Sequence, residues 1–151
     1  KFFEHLADGL AFKKRLPSSM MGKLVEKVRA GAPAHHSFHV FNIWKRTGFV
    51  ESPHTLFTMD ECRIGWGQVL RVDKKKIAVM YQPLEFHDQK LCFGAWKNKD
   101  IAIDEKIGQI RKGDWISFHW SSFCDELSAY DLANLENWTS LSMAVYNKQV
   151  K

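Results

Sequence analysis

The chain has 151 residues, 45% of them hydrophobic, with three cysteines and a formal net charge of +5. This length supports one domain, or one domain with an N-terminal extension, whose core needs no disulfide staples. Cys62, Cys92 and Cys124 are odd in number, widely spaced and never in a Cys-x-x-Cys pair, which argues against a disulfide framework and against a zinc knuckle. No apolar run approaches the ~20 residues of a membrane span, and no signal-peptide pattern opens the chain. A protein of the reducing cytoplasm, with no membrane role, is therefore expected. The basic residues are scattered, as in Lys13-Lys14-Arg15, Lys74-Lys75-Lys76 and Arg111-Lys112, and read first as a solvated surface.

In the first 31 residues apolar positions recur at helical spacing, through Phe2, Phe3, Leu6 and Leu10 and then Met20, Met21, Leu24, Val25 and Val28. Pro17-Ser18-Ser19 separates the two runs, and Gly31 with Pro33 ends the second. Residues 1–60 thus form an N-terminal helical extension, with a strand expected at about 35–44 and a connecting loop from Lys45 to Thr58. From Cys62 the period becomes two. Gly67 to Val72, Ile77 to Phe86 and Lys90 to Trp96 read as strands, separated by turns at Asp73 to Lys76 and at His87-Asp88-Gln89. A short strand at Ile101 to Ile103, a turn at Arg111 to Asp114 and a strand from Trp115 to Trp120 follow, the last with Trp115, Ser117 and His119 on one face. Ser128, with Asp131 at the capping-box offset, opens a final helix to about Asn147, with Leu132, Leu135, Trp138, Thr139 and Ser142 as its stripe. The fold class is mainly β with flanking helices: a small antiparallel barrel of the oligonucleotide-binding type over residues 61–151, closed by the C-terminal helix.

Several residues carry candidate chemistry. The cluster His35, His36 and His39 suggests metal ligands, yet in an extended strand His35 and His39 would stand roughly 13 Å apart, too far to share one ion. Strand-end or partner-contact histidines are the simpler expectation. Trp66, Trp115 and Trp120 could stack on bases, as on a single-strand-binding barrel, or fill the core. Gly-rich phosphate loops, nucleophile elbows and His-Glu-x-x-His motifs are absent from the sequence.

Two segments recur together in a recognisable way. Cys62 is followed by Arg-Ile-Gly-Trp-Gly-Gln-Val-Leu-Arg-Val-Asp, so that Gly67 stands five positions after it and Val69 and Asp73 fall in step; later comes Gly113-Asp114-Trp115-Ile116-Ser117-Phe118-His119 before a helix. From about Glu61 to Ala144 this arrangement resembles the HypC, HybG and HupF family of hydrogenase maturation chaperones. The longer chain, with "HHSFHVF" and "GDWISFHW", also resembles an uncharacterised bacterial family encoded near hydrogenase genes.

The resemblance implies a nonenzymatic chaperone that carries iron with its cyanide and carbonyl ligands. Its expected partners are a HypD-like scaffold protein and the precursor of the hydrogenase large subunit. By the same resemblance Cys62 and His119 are the metal ligands, with Cys62 displayed at the start of the first barrel strand, and no residue is catalytic. Trp66, Trp120, His35, His36 and His39 are the candidate partner contacts. A thiolate and an imidazole suit iron and leave positions open for diatomic ligands and a second protein. The alternative is a barrel module for single-stranded nucleic acid, using Trp66, Trp115, Trp120 and the lysines. A thiol enzyme built on Cys62 and His119 would lack a recognisable third, orienting group.

Overall fold

The structure, a computed structural model, describes residues 35–44, 55–103, 109–148. The helical pair expected in the first 31 residues lies outside them, as does most of the loop expected after Trp44. The chain divides into two compact units, one of Thr55–Asn137 and the other of Lys1–His54 with Trp138–Lys151. No helix among the described residues is long and apolar enough to cross a membrane.

The unit Thr55–Asn137 opens with α1 (Leu56–Cys62). Thr55 caps it: its hydroxyl accepts from the Thr58 amide at 3.2 Å while the Thr58 hydroxyl accepts from the Thr55 amide at 2.9 Å. This reciprocal box makes a helix where a loop and a strand start were expected. Among the described residues seven strands follow: β1 (Gly65–Val72), β2 (Lys76–Tyr81), β3 (Leu84–His87), β4 (Lys90–Phe93), β5 (Lys97–Ala102), β6 (Trp115–His119) and β7 (Ser122–Leu127). Five of them close into a barrel in the order β1-β2-β5-β7-β6, and β3 with β4 forms a separate hairpin. The barrel pairs are antiparallel except β5 with β7. A mainly β fold with a small closed barrel and a C-terminal helix is what the period-two segments predict, and the strand order is compatible with an oligonucleotide-binding-type barrel.

The strands differ from expectation in several places: β4 ends at Phe93 rather than Trp96, and no strand is expected from the sequence at β7. Three of the differences have a local reason. Pro83 carries no amide hydrogen and breaks the run from Ile77 to Phe86 into β2 and β3. β5 begins at Lys97, four residues earlier than the apolar pattern suggests, because Lys97-Asn98-Lys99-Asp100 pairs with β2 while keeping three of its four side chains exposed. β7 has the burial pattern of a solvent-facing strand, exposed at Ser122, Cys124, Asp125 and Glu126, and so carries little hydrophobic signal. Inside the barrel, Val69, Ile77, Val79, Ile101, Ile116 and Phe118 form the core, with Tyr81, Ile103, Ile110 and Phe123 packed against it. Gly65 allows β1 and β6 to approach closely there: it pairs with Phe118, and an added Cβ would overlap the Phe118 ring.

The last helix, α2 (Ala129–Asn147), starts as its capping box predicts: the Ser128 hydroxyl accepts from the Asp131 amide at 3.2 Å, and Asp131 Oδ2 accepts from the Ser128 amide at 3.2 Å. It belongs to the first unit up to Asn137 and to the other from Trp138. Its buried positions are Leu135, Thr139, Ser142, Met143, Val145 and Tyr146. Trp138, expected on that stripe, is 45% exposed.

In the unit of Lys1–His54 with Trp138–Lys151, the strand expected at 35–44 is instead helical, an α-turn His36–Phe38 continuing as a π-helix His39–Trp44. The His35 ring nitrogen Nδ1 caps it, accepting from the Ser37 amide at 3.2 Å. Ser37, Phe38, Val40, Phe41 and Asn42 are buried while His36 and His39 are exposed, a helical spacing that the β-branched and aromatic composition disguises. Two polar contacts fix the segment to α2: Ser37 Oγ with Thr139 Oγ1 at 3.1 Å, and Asn42 Nδ2 donating to the Ser142 carbonyl at 3.0 Å. Phe38 packs with Val145 in the same small core.

Candidate metal centre

Cys62 is the last residue of α1, three positions before β1, rather than the first residue of a strand. It is also 7% exposed, which corrects the expectation of a displayed thiol. Acidic Asp60 and Glu61 sit at the C-terminal end of this short helix, the end where the backbone dipole disfavours negative charge. Partners brought in from other strands offset that local conflict.

Asp60 is held by three donors. Arg63 Nε donates to Oδ1 at 3.0 Å, the Leu84 amide donates to the same oxygen at 3.0 Å, and the Tyr81 hydroxyl reaches Oδ2 at 3.3 Å. Arg63 is itself buried; its Nη2 donates to the Gln82 carbonyl at 2.6 Å. Its Nη1 makes no hydrogen bond, but the guanidinium lies over the rings of Trp66 and Phe93, at 5.1 Å and 5.4 Å from their centroids. Burial, and then the neighbouring Asp60 carboxylate, push the Tyr81 hydroxyl up to about 12.

Glu61 faces the other way and ties the helix to β5 and to the turn after β6. Lys99 Nζ donates to its Oε1, and Ser121 Oγ donates to its Oε2 at 2.6 Å. The Glu61 carbonyl accepts from the Trp120 amide at 2.9 Å. Lys99 also lies over the rings of Tyr81 and Phe118, at 5.1 Å and 5.4 Å.

These ties bring Cys62 to His119. His119 ends β6, on the alternate face from the core residues Ile116 and Phe118. The Cys62 sulfur and an imidazole nitrogen of His119 lie within 4.8 Å of one another. Two ligands bound at 2.0 to 2.3 Å to one ion stand about 3 to 4 Å apart, a separation that this bound admits. Burial pushes the Cys62 thiol up, and a hydrogen bond from the Trp120 side chain pulls it part of the way back. The Trp120 and His119 rings are edge-to-face with centroids 6.3 Å apart.

The remaining candidates are distributed differently. Trp66 is 8% exposed and packs edge-on against Phe93 at 5.4 Å, so it is a core residue and the partner-contact expectation for it fails on burial. Trp120 is 45% exposed and keeps a free edge for a partner. Trp115 is half-buried, 6.4 Å from the Trp96 ring. His35 caps its helix, half-buried, and burial followed by the charge of His36 holds its imidazole below the usual range; His39 shifts the same way. His36 and His39 stack with ring centroids 6.3 Å apart, on the exposed side of their segment. No disulfide joins the three cysteines. Cys92 is half-buried with its thiol toward the Glu85 carbonyl at 3.5 Å, and Cys124 is exposed on β7.

Sequence reasoning did not reach Glu61, Lys99 and Ser121. No local signal marks them, because the helix that ends at Cys62 is itself not expected from the sequence.

No curated protein and no solved structure matches the chain. A family model matches residues 1–151, and the chain belongs to that family, a family of unknown function designated DUF6390.

Proposed function

We propose that the protein is a nonenzymatic metal-centre assembly chaperone that holds an iron group through Cys62 and His119 and passes it to a hydrogenase precursor or scaffold protein. The observation that carries this reading is the approach of the Cys62 sulfur and a His119 ring nitrogen to within 4.8 Å in a single unit, from residues far apart in sequence. Iron with cyanide and carbonyl ligands is the cargo here. A soft thiolate and an imidazole suit iron, with diatomics and a donor from the receiving protein as further ligands. Burial holds the thiol above its ordinary range, which weighs against a nucleophilic thiol enzyme; a metal bound there would have to displace the thiol proton. A reducing cytoplasm, with thiols maintained, suits such a carrier. His36, His39 and Trp120 are the exposed candidates for partner contact.

The single-strand nucleic-acid reading loses one of its three stacking platforms with the burial of Trp66. It would show binding that falls steeply with salt, whereas thiolate ligation would not. The test of the favoured reading is infrared spectroscopy of the full chain isolated anaerobically from its host. Carbonyl and cyanide stretching bands are expected, and they should vanish in Cys62→Ser. Their absence from the wild-type protein, together with normal hydrogenase maturation by Cys62→Ser, would overturn the proposal.

A further inference from the structure

The two-residue turn Trp120-Ser121 joins β6 to β7, and both residues have positive φ, 50° and 56°. This is the type I′ hairpin pattern, for which Asn-Gly is the favoured pair; tryptophan and serine both carry side chains into a region that L-residues avoid. The same unit makes a second such turn at Asp88 and Gln89, where φ is 48° and 63° and both residues are exposed. That turn uses an aspartate, which tolerates the left-handed region, and its residues lie free on the surface. The Trp120-Ser121 turn is different in kind. One residue, Glu61, holds both of its members: its carbonyl takes the Trp120 amide at 2.9 Å and its carboxylate takes the Ser121 hydroxyl at 2.6 Å. The Ser121 carbonyl in turn accepts from the Ala102 amide at 2.8 Å, where the barrel closes.

Glu61 directly precedes Cys62, and Trp120 directly follows His119. A clamp between Glu61 and Trp120-Ser121 therefore fixes the backbones from which the thiol and the imidazole both project. We propose that Glu61 and Ser121 are positioning residues for the metal pair, with the strained turn retained because it seats His119 beside Cys62. Strained backbone persists where surrounding contacts over-determine it, and such sites cluster at functional positions. A glycine turn would close the hairpin at lower cost but would offer the Glu61 carboxylate no hydroxyl donor.

The inference rests on the metal-carrier reading, so its test separates the two. Co(II) is added to the full-length protein as the probe, with a thermal melt for each variant. Ser121→Ala should weaken Co(II) binding about 10-fold, within the range typical of outer-shell partners, at a melting temperature close to that of the wild type. Glu61→Gln, which keeps an oxygen for Ser121, should retain more affinity than Glu61→Ala. Wild-type Co(II) affinity in both Ser121→Ala and Glu61→Ala would overturn the proposal while the carrier reading stands. A wild-type protein that binds no Co(II) would overturn the metal-carrier reading and the proposal with it.

Discussion

The barrel interior and the rim formed by α1 with the Trp120-Ser121 turn are built on opposite principles. The interior is Val69, Ile77, Val79, Ile101, Ile116 and Phe118, six apolar side chains from four strands, and it asks for volume and shape. The rim buries Asp60, Glu61 and Arg63 and nearly buries Lys99, groups whose removal from water is costly and which repay it only in one geometry. An apolar core of the same size would stabilise the rim at least as well. The charged rim is better understood as an orienting device, since Asp60, Glu61 and Arg63 flank Cys62 along the chain.

That contrast predicts how each region fails. Asp60→Asn should have the largest effect, about 3 to 5 kcal/mol in urea unfolding, because it removes the charge opposite a buried Arg63 while changing almost no volume. The conservative change in the interior, Ile77→Val, should cost only about 0.5 to 1.5 kcal/mol. If Asp60→Asn proved the milder of the two, the distinction between a charge-specified rim and a shape-specified core would be broken.

The cysteines sharpen the comparison next. Cys62→Ser places a hydroxyl in a buried rim position and should lower stability by about 1 to 3 kcal/mol, leaving the barrel folded by circular dichroism and the hydrogenase inactive in the host. Cys92→Ser, half-buried in the β3–β4 hairpin, should cost less and leave hydrogenase activity intact. Equal loss of maturation in both would remove any special role for the rim thiol.

The smallest effect concerns pH. The Tyr81 hydroxyl, raised to about 12 against an ordinary value near 10, favours its neutral form in the folded state. The stability it contributes is therefore fully present below pH ~10 and is lost as pH rises toward 12. The difference in phenolate absorbance between wild type and Tyr81→Phe should grow in near pH 12. Ionisation near 10 would mean that Asp60 and the surrounding rim do not act on Tyr81 as their contacts suggest.

Much of the fold was legible in the sequence for physical reasons. The alternation in Gly67 to Val72 and Trp115 to His119, the turns at Asp73 to Lys76 and Asp88-Gln89, and the Ser128–Asp131 cap all express local rules that tertiary structure leaves intact. The misread segments are those where context overrides composition. His35 to Trp44 is rich in strand-favouring residues, yet its burial repeats with a helical period, and its polar bonds to Thr139 and Ser142 come from about a hundred positions away. The Cys62–His119 pairing came from a resemblance to motif spacing, and the two side chains do approach. Nothing local in Lys99 or Ser121 signals a tie to Glu61, because such ties exist only once the barrel has closed.

The central claim is that Cys62 and His119 bind one metal ion together, and X-ray absorption at the iron edge of the anaerobically Fe(II)-loaded full chain tests it most directly. The account predicts a sulfur at about 2.3 Å and imidazole nitrogen at about 2.0 to 2.1 Å in the first shell, by analogy with other first-row sites. The sulfur shell should be lost in Cys62→Ser and the imidazole signal reduced in His119→Ala. A first shell of oxygen and nitrogen alone, or a sulfur shell that survives Cys62→Ser, would contradict it.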